Sequence, residues 1–378
     1  MSASSSNSAS EQRAIASIRR LCCLGLGSQI AVPALLGELH AVIPSYSNQF
    51  FWAGPNQELA NMYDEGDVIL PVMPLYLSEF HNKRERDAVF TFAETMRRSR
   101  NSEAFHYRES TLKVDERAFK KHDYYNLVVR PTGIDDVLQL KVSERSRSLG
   151  LLHLTRQIGE PAFTARDRRV LERIAPFAAH AFGAGCNDQR LAESDDHGLV
   201  IATPAGKIKY LSPQAGRLIV MAQHPVLLSA ACLPGPGAEL PTEVVRLCHD
   251  LVRIFENKAP SAAPVWRLKN PWGAFTFRAY WLDRDAALRA PPLIGITVQR
   301  LEPLALKFWR RAEELPLSGR EIEACLPLAL GRPRAEIADR LGVAENTAIN
   351  HCRNIYAKLG VQSRAGLVEK LHPGLCAV

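Results

Sequence analysis

The sequence lacks every Cys-x-x-Cys pair, and no His/Cys cluster has zinc-finger spacing. Its eight cysteines are Cys22, Cys23, Cys186, Cys232, Cys248, Cys325, Cys352 and Cys376. Most stand among apolar neighbours, where a free thiol behaves as a small buried hydrophobe. A disulfide scaffold is therefore excluded, and reduced cysteines in a cytoplasmic protein are expected. Long apolar runs are missing too. Between Leu21 and Ile43 the chain is broken by Gln29, Pro33, Glu38 and His40, whereas a spanning helix needs about 20 predominantly apolar residues. No membrane span is expected. There is no Gly-x-Ser-x-Gly, Walker A or metal motif, no haem- or flavin-ligating pattern and no convincing Cys/His pair. No catalytic residue, metal site or cofactor is expected, so the chain is not read as an enzyme.

What is present is a folded-protein composition, with 46% apolar and 23% charged residues over 378 positions. A disordered chain and a fibrous repeat are excluded. The length suggests two to three domains, at about 150 residues each. Lys and Arg number 47 against 40 Asp and Glu, leaving +7. That excess is compatible with a polyanionic partner without identifying one. Residues 1–12, serine-rich at their start, are expected to be a flexible tail.

The most informative stretch runs from Leu317 to Leu371. Ser318-Gly319-Arg320-Glu321 is a capping box that opens a helix, with Leu317 and Ile322 placed for a hydrophobic staple. Ile322, Cys325, Leu326 and Ala329 continue one apolar face to Gly331. Pro327 removes a backbone donor inside that helix, so a kink or early end is expected there. A second short helix follows Pro333, with Ile337, Ala338 and Leu341 facing inward and Gly342 stopping it. A third begins at Glu345, where Ala348, Cys352, Ile355 and Leu359 recur as a buried stripe. Ser363 caps a last helix from Arg364. Two helices joined by a short glycine turn make a helix-turn-helix, whose second helix fits a major groove.

The string from Leu317 to Val368 resembles the LuxR/FixJ-type DNA-binding domain. The resemblance rests on Leu317, Arg320-Glu321, Gly331, Glu336-Ile337-Ala338, Leu341, Thr347, His351, Ile355, Lys358-Leu359-Gly360, Ser363-Arg364 and Leu367. It departs from the family where Val-Lys often follows the threonine; here Ala348-Ile349 stand instead. The face opposite the stripe carries Asn346, Ile349, Asn350, Arg353 and Asn354. Asn suits adenine, Arg suits guanine, and Ile packs on a thymine methyl or serves as a second core residue. Glu345 is placed for a cytosine amino group or the helix dipole. Arg334, Lys358 and Arg364 are placed for phosphates, which fix register without reading sequence. From Asn346 onward, Arg353, Lys358, Arg364 and Lys370 stand against Glu369, a local +3.

Upstream, strands are expected at Leu199–Ala202 and Lys207–Leu211, then helix at Ser212–Met221. Three further strands are expected at Pro264–Leu268, Ala274–Leu282 and Leu293–Val298. Two strands, helices and three strands resemble a PAS domain over residues 187–301. Residues 13–186 resemble a GAF-like sensory module, ending in a strand at Gly150–Leu154 and a helix capped by Thr164 and Asp167. Phe50, Trp52, Met62, Tyr63 and Phe80 are candidates for a ligand pocket, with ordinary core packing as the other reading. Residues 302–316 are expected to form a linker helix, with Leu304, Leu306, Phe308 and Trp309 available for contact.

The expected fold class is an α+β multidomain chain. Two sensory α/β modules with antiparallel sheets (GAF-like, PAS-like) precede an all-α four-helix helix-turn-helix domain over 317–378. The expected function is a one-component transcription regulator that binds operator DNA under control of a small molecule. The expected partners are a two-fold symmetric double-stranded operator, an unidentified small-molecule effector and a second copy in a homodimer, with RNA polymerase as a candidate contact. Control by protein–protein contacts, or an acyl-homoserine-lactone receptor, are the alternatives. A receiver domain of alternating strands and helices is not visible in the N-terminal half.

Overall fold

Helix α1 (Ser2–Cys22) and helix α2 (Ser28–Leu39) open the chain in the computed structural model, which describes residues 2–145, 147–184, 190–229, 233–256, 258, 264–282 and 292–373. The serine-rich stretch expected as a flexible tail is instead the start of α1. Ile15, Ile18, Leu21 and Cys22 bury one face further along that helix. Once such a face is fixed, extension upstream adds one backbone hydrogen bond per ordered residue.

The first sheet contains β1 (Ser47–Ala53), β2 (Leu59–Asp64), β3 (Ala104–His106), β4 (Ile134–Glu144) and β5 (Arg147–Gln157), in the order β2-β1-β5-β4-β3. All neighbours are antiparallel. Side chains alternate across it, and the two faces meet different partners. On one face Phe50 packs against Phe182 of helix α4 (Ala165–Gly183), with ring centroids 4.6 Å apart. On the other, Phe51 packs against His153 at 4.7 Å. Over that second face lie short helical turns between Leu70 and Asp87, helix α3 (Phe92–Arg98), and irregular chain from Tyr107 to Thr132. The Thr164–Asp167 capping box opens α4 as expected, with each side chain bonding the other residue's backbone N–H.

The second sheet contains β6 (Leu191–Ala202), β7 (Ile208–Leu211), β8 (Val265–Asn270), β9 (Gly273–Leu282) and β10 (Leu293–Pro303), ordered β7-β6-β10-β9-β8. Strand β6 starts earlier than its apolar run, because pairing with β10 continues through His197 to Leu191. Helices α5 (Pro213–Gln223) and α6 (Thr242–Phe255) cover one face. Gly198 permits that: a Cβ there would come within 2.5 Å of the Ala215 backbone. The opposite face leaves Leu199, Tyr210 and Tyr280 exposed.

A seam joins the sheets. The indole of Trp272 is fully buried, edge-on to Trp52 at 5.8 Å and 5.9 Å from Tyr63. Its Nε1 donates to the carbonyls of His224 and Pro225 at 3.1 Å. Asn61 accepts from Leu227 N at 2.8 Å, and the Arg217 guanidinium donates to the Asp64 and Glu65 carbonyls while lying over the Tyr63 ring. Buried polar groups on both sides are thus paired rather than stranded.

Helix α7 (Leu304–Glu314) occupies most of the span expected as a linker, but its expected contact residues are not free. Leu304, Leu306, Phe308 and Trp309 are all buried within the chain. Helices α8 (Gly319–Ala329), α9 (Arg334–Leu341), α10 (Glu345–Leu359) and α11 (Arg364–Leu371) complete the C-terminal unit. Arg20 of α1 grips Glu313 through two bonds of 2.8 and 2.9 Å, and Arg19 reaches Glu323 at 2.6 Å. No helix among the described residues is long and apolar enough to cross a membrane.

Candidate DNA interface and sensory cavity

The C-terminal helices arise from local signals that the structure satisfies one by one. Ser318 accepts from Glu321 N, and the Glu321 carboxylate accepts from Ser318 N at 2.7 Å. Helix α8 does not end early at Pro327 but continues to Ala329. Ile322, Cys325, Leu326, Leu328 and Ala329 are buried along it, and that packing offsets one missing backbone bond. Gly342 takes φ 63° at the end of α9, the left-handed turn that lets α10 restart at Glu345.

Ala348, Cys352, Ile355 and Leu359 are all buried, as their spacing requires. The opposite face of α10 is therefore turned outward. Glu345, Asn346, Asn350, Arg353 and Asn354 are exposed, and Ile349 is half-buried. Arg353 has no ion pair among the described residues, so no internal bond must break before it meets DNA. Arg334 and Arg364 are exposed, and both act electrostatically on Tyr356.

Lys358 is exposed and also has a partner within the chain. Its Nζ is 2.7 Å from Glu321 Oε2, so it pins α10 to the capping box of α8. Burial raises the Glu321 carboxyl, but the bonds from Lys358 and Ser318 outweigh it and hold it below the ordinary range.

A cavity of about 190 Å³ lies under the second face of the first sheet. Phe51, Val137, Gln139, Leu151 and His153 form its floor; Tyr76, Tyr107, Phe119 and Tyr124 lie above. None of Phe50, Trp52, Met62, Tyr63 or Phe80 lines it. Phe50 faces α4, since adjacent strand residues point to opposite sides. Trp52 and Tyr63 belong to the seam with Trp272, and Met62 borders a much smaller space there. Phe80 is buried behind the cavity, 5.8 Å from Tyr124 and beneath the Arg84 guanidinium. The readable signal for the true floor was the alternation in Gly150–Leu154, which puts Leu151 and His153 on one face and Leu152 and Leu154 on the other.

The floor carries one polar chain. Thr111 Oγ1 donates to Gln139 Oε1 at 3.1 Å, and Gln139 Nε2 meets His153 Nε2 at 2.6 Å. Burial pushes the His153 ring down to about 3, so it is neutral at ordinary pH. With Nε2 accepting from Gln139, its proton sits on Nδ1. Above, burial raises the Tyr107 and Tyr124 phenols, and burial likewise raises the Glu85 carboxyl despite the bond from Asn82 N. Among the described residues, no group of three His, Cys, Asp or Glu is placed to hold a metal.

No curated protein matches the chain. Residues 315–371 match the model described as bacterial regulatory proteins, luxR family. This segment is a luxR-type helix-turn-helix domain. Solved structures that resemble the chain include a VqmA bound to DPO, 19% identical over 48% of this chain and 84% of its own, with a TM-score of 0.18. A VqmA–ligand–DNA complex named for Vibrio cholera is 16% identical over 47% and 83%, at 0.20. A sensor region of a sensor histidine kinase is 8% identical over 79% and 92%, at 0.18. At such TM-scores these likenesses decide nothing about the arrangement here.

The luxR-type domain thus spans the helices whose caps and stripe are described above, and its outward face is that of α10. The departure at Ala348-Ile349 has a structural consequence: Ala348 is in the stripe, and Ile349 sits half-buried at its edge. In the first sheet, the neutral His153 makes a separate prediction. The unfolded chain binds a proton at His153 near its ordinary value of about 6.5, while the folded chain does so only near 3. Folding stability tied to His153 is therefore present above pH 6.5 and is lost as pH falls toward 3. The expected slope is about 1.4 kcal/mol per pH unit at most. Urea denaturation of wild type and His153→Phe across pH 5 to 7 checks this; equal slopes for the two would refute it.

Proposed function

We propose that the chain is a one-component transcription regulator. The luxR-type domain reads operator DNA through α10, and the cavity beneath the first sheet holds the small molecule that controls it. The observation that carries this reading is the pairing, in one chain, of an outward-facing recognition helix with a half-open, aromatic-lined cavity. On this reading residues 13–186 act as a GAF-like sensor, 187–301 as a PAS-like module and 302–316 as the connection to the reader at 317–378. The VqmA proteins named above are described with DPO, ligand and DNA. The proposed site of action is the cytoplasm, with a homodimer on a two-fold operator whose half-sites lie about 34–36 Å apart.

In this proposal Arg353 contacts guanine, Asn346 and Asn350 contact adenine, and Ile349 meets a thymine methyl; Asn354 and Glu345 stand beside them. Arg334 and Arg364 hold phosphates. Arg353→Ala is expected to weaken operator binding by about 1–3 kcal/mol and relax preference at one base pair. A fluorescence titration on duplexes selected from a random pool measures both. Unchanged affinity and unchanged preference on the selected duplex would sink the assignment of Arg353.

Control by a protein partner is the second reading. The apolar outer face at Leu199, Tyr210 and Tyr280 favours it, since exposed apolar patches mark interaction surfaces. Native mass spectrometry of the intact protein separates the two, because only the first requires a small molecule to be retained.

A further inference from the structure

We propose that the cavity under the first sheet takes an uncharged, single-ring aromatic molecule carrying a hydrogen-bond acceptor, read by His153 Nδ1. This rests on the sensory reading above and narrows it to a ligand class. Three observations carry it: size, wall charge and one unmatched donor.

Size comes first. A cavity of about 190 Å³ exceeds only modestly the roughly 150 Å³ that suffices for benzene. A single ring with one or two small substituents fills it. The walls agree, because Phe51, Phe119, Tyr107 and Tyr124 present ring faces and edges rather than a narrow aliphatic tunnel.

Wall charge excludes an anion. The cations lining the cavity are Arg108 and Lys120, and both are already engaged. Arg108 binds Asp135 at 2.6 Å and Glu116 at 3.0 Å, and Lys120 binds Glu116 at 2.8 Å. The lining carboxyls are Glu85, Glu116 and Asp135, three acids against two bases, so a carboxylate ligand finds no free counter-charge. Desolvating an anion without a partner is costly. Glu85, in turn, already accepts from Asn82 N at 2.7 Å, and burial raises its carboxyl, which disfavours the charged form an ammonium ligand would pair with.

The donor fixes the polar group. Thr111 and Gln139 hold His153 through its Nε2, leaving the proton on Nδ1. Among the described residues, Nδ1 has no hydrogen-bond partner, and the ring lines the cavity. An unpartnered N–H on a ring that lines a largely apolar cavity selects a ligand that brings a carbonyl, ring nitrogen or ether oxygen to it.

The test uses the full chain and three probes of equal heavy-atom count: acetophenone, isopropylbenzene and benzoate. Calorimetric titration of wild type should rank acetophenone about tenfold tighter than isopropylbenzene, the worth of one hydrogen bond, with benzoate not binding. Acetophenone should also move the His153 Nδ1 resonance. In His153→Phe the preference for acetophenone over isopropylbenzene should vanish while both still bind. Benzoate binding as tightly as acetophenone, or an unmoved His153 resonance with acetophenone bound, overturns the proposal, even if the variant fails to fold. A long-chain or anionic molecule retained from the purified protein overturns this ligand class while leaving small-molecule sensing intact. No retained molecule and no binding of any probe overturns both.

Discussion

Trp272→Ala is expected to destabilise the protein by about 3–5 kcal/mol, the usual loss for a buried Trp truncated to Ala. The indole is fully buried and touches both sheets at once. Its removal opens a void beside Trp52 and Tyr63 and takes the indole donor from the carbonyls of His224 and Pro225, of which Pro225 keeps the Asn61 Nδ2 bond at 3.3 Å. The remaining seam bonds, Asn61 to Leu227 and Arg217 to the β2 carbonyls, are polar and cannot refill that volume. Urea unfolding should therefore shift to a lower midpoint and separate into two transitions, as each sheet loses its partner. A single transition at the wild-type midpoint would show that the seam contributes little.

Ile355→Ala carries the second large effect. Ile355 is fully buried in the stripe by which α10 packs against α8 and α9. Truncation should cost about 2–5 kcal/mol. A domain spanning residues 315–371 holds only about 3–9 kcal/mol in total at the usual stability per residue. Much of the reader should then be unfolded at working temperature, and DNA affinity should collapse. Asn350→Ala, on the opposite exposed face, should lower DNA affinity without moving the melting temperature. Circular dichroism melts alongside DNA titrations separate the two. Equal melting temperatures for Ile355→Ala and wild type would contradict the buried stripe.

The reader was legible because its determinants are local. Ser318 with Glu321, Gly342, and Ala348 with Cys352, Ile355 and Leu359 all act within a turn or two of themselves. The positions of the strands in the second sheet were legible for a similar reason: the apolar runs are separated by turn residues. The cavity was not. Phe50 and Phe51 are adjacent, and which one faces the helices depends on how α4 docks more than a hundred residues later. The roof is built from short turns and irregular chain, which carry no hydrophobic period to read. Trp52 and Tyr63 looked like pocket residues because they are aromatic, yet their partner is Trp272, far along the chain. The Lys358–Glu321 pair was likewise not legible, because the partners are 37 positions apart and meet only when α10 docks on α8.

On the proposed reading, occupancy of the first-sheet cavity sets the DNA affinity of the luxR-type domain. The direct measurement is the affinity of the full chain for its selected duplex, with and without acetophenone, in wild type and in Val137→Phe, whose larger ring fills the cavity floor. Adding acetophenone to wild type should change that affinity by about tenfold or more, the scale of ordinary allosteric coupling. In Val137→Phe, the same addition should change nothing. Acetophenone bound in the wild-type cavity with DNA affinity unmoved would contradict it.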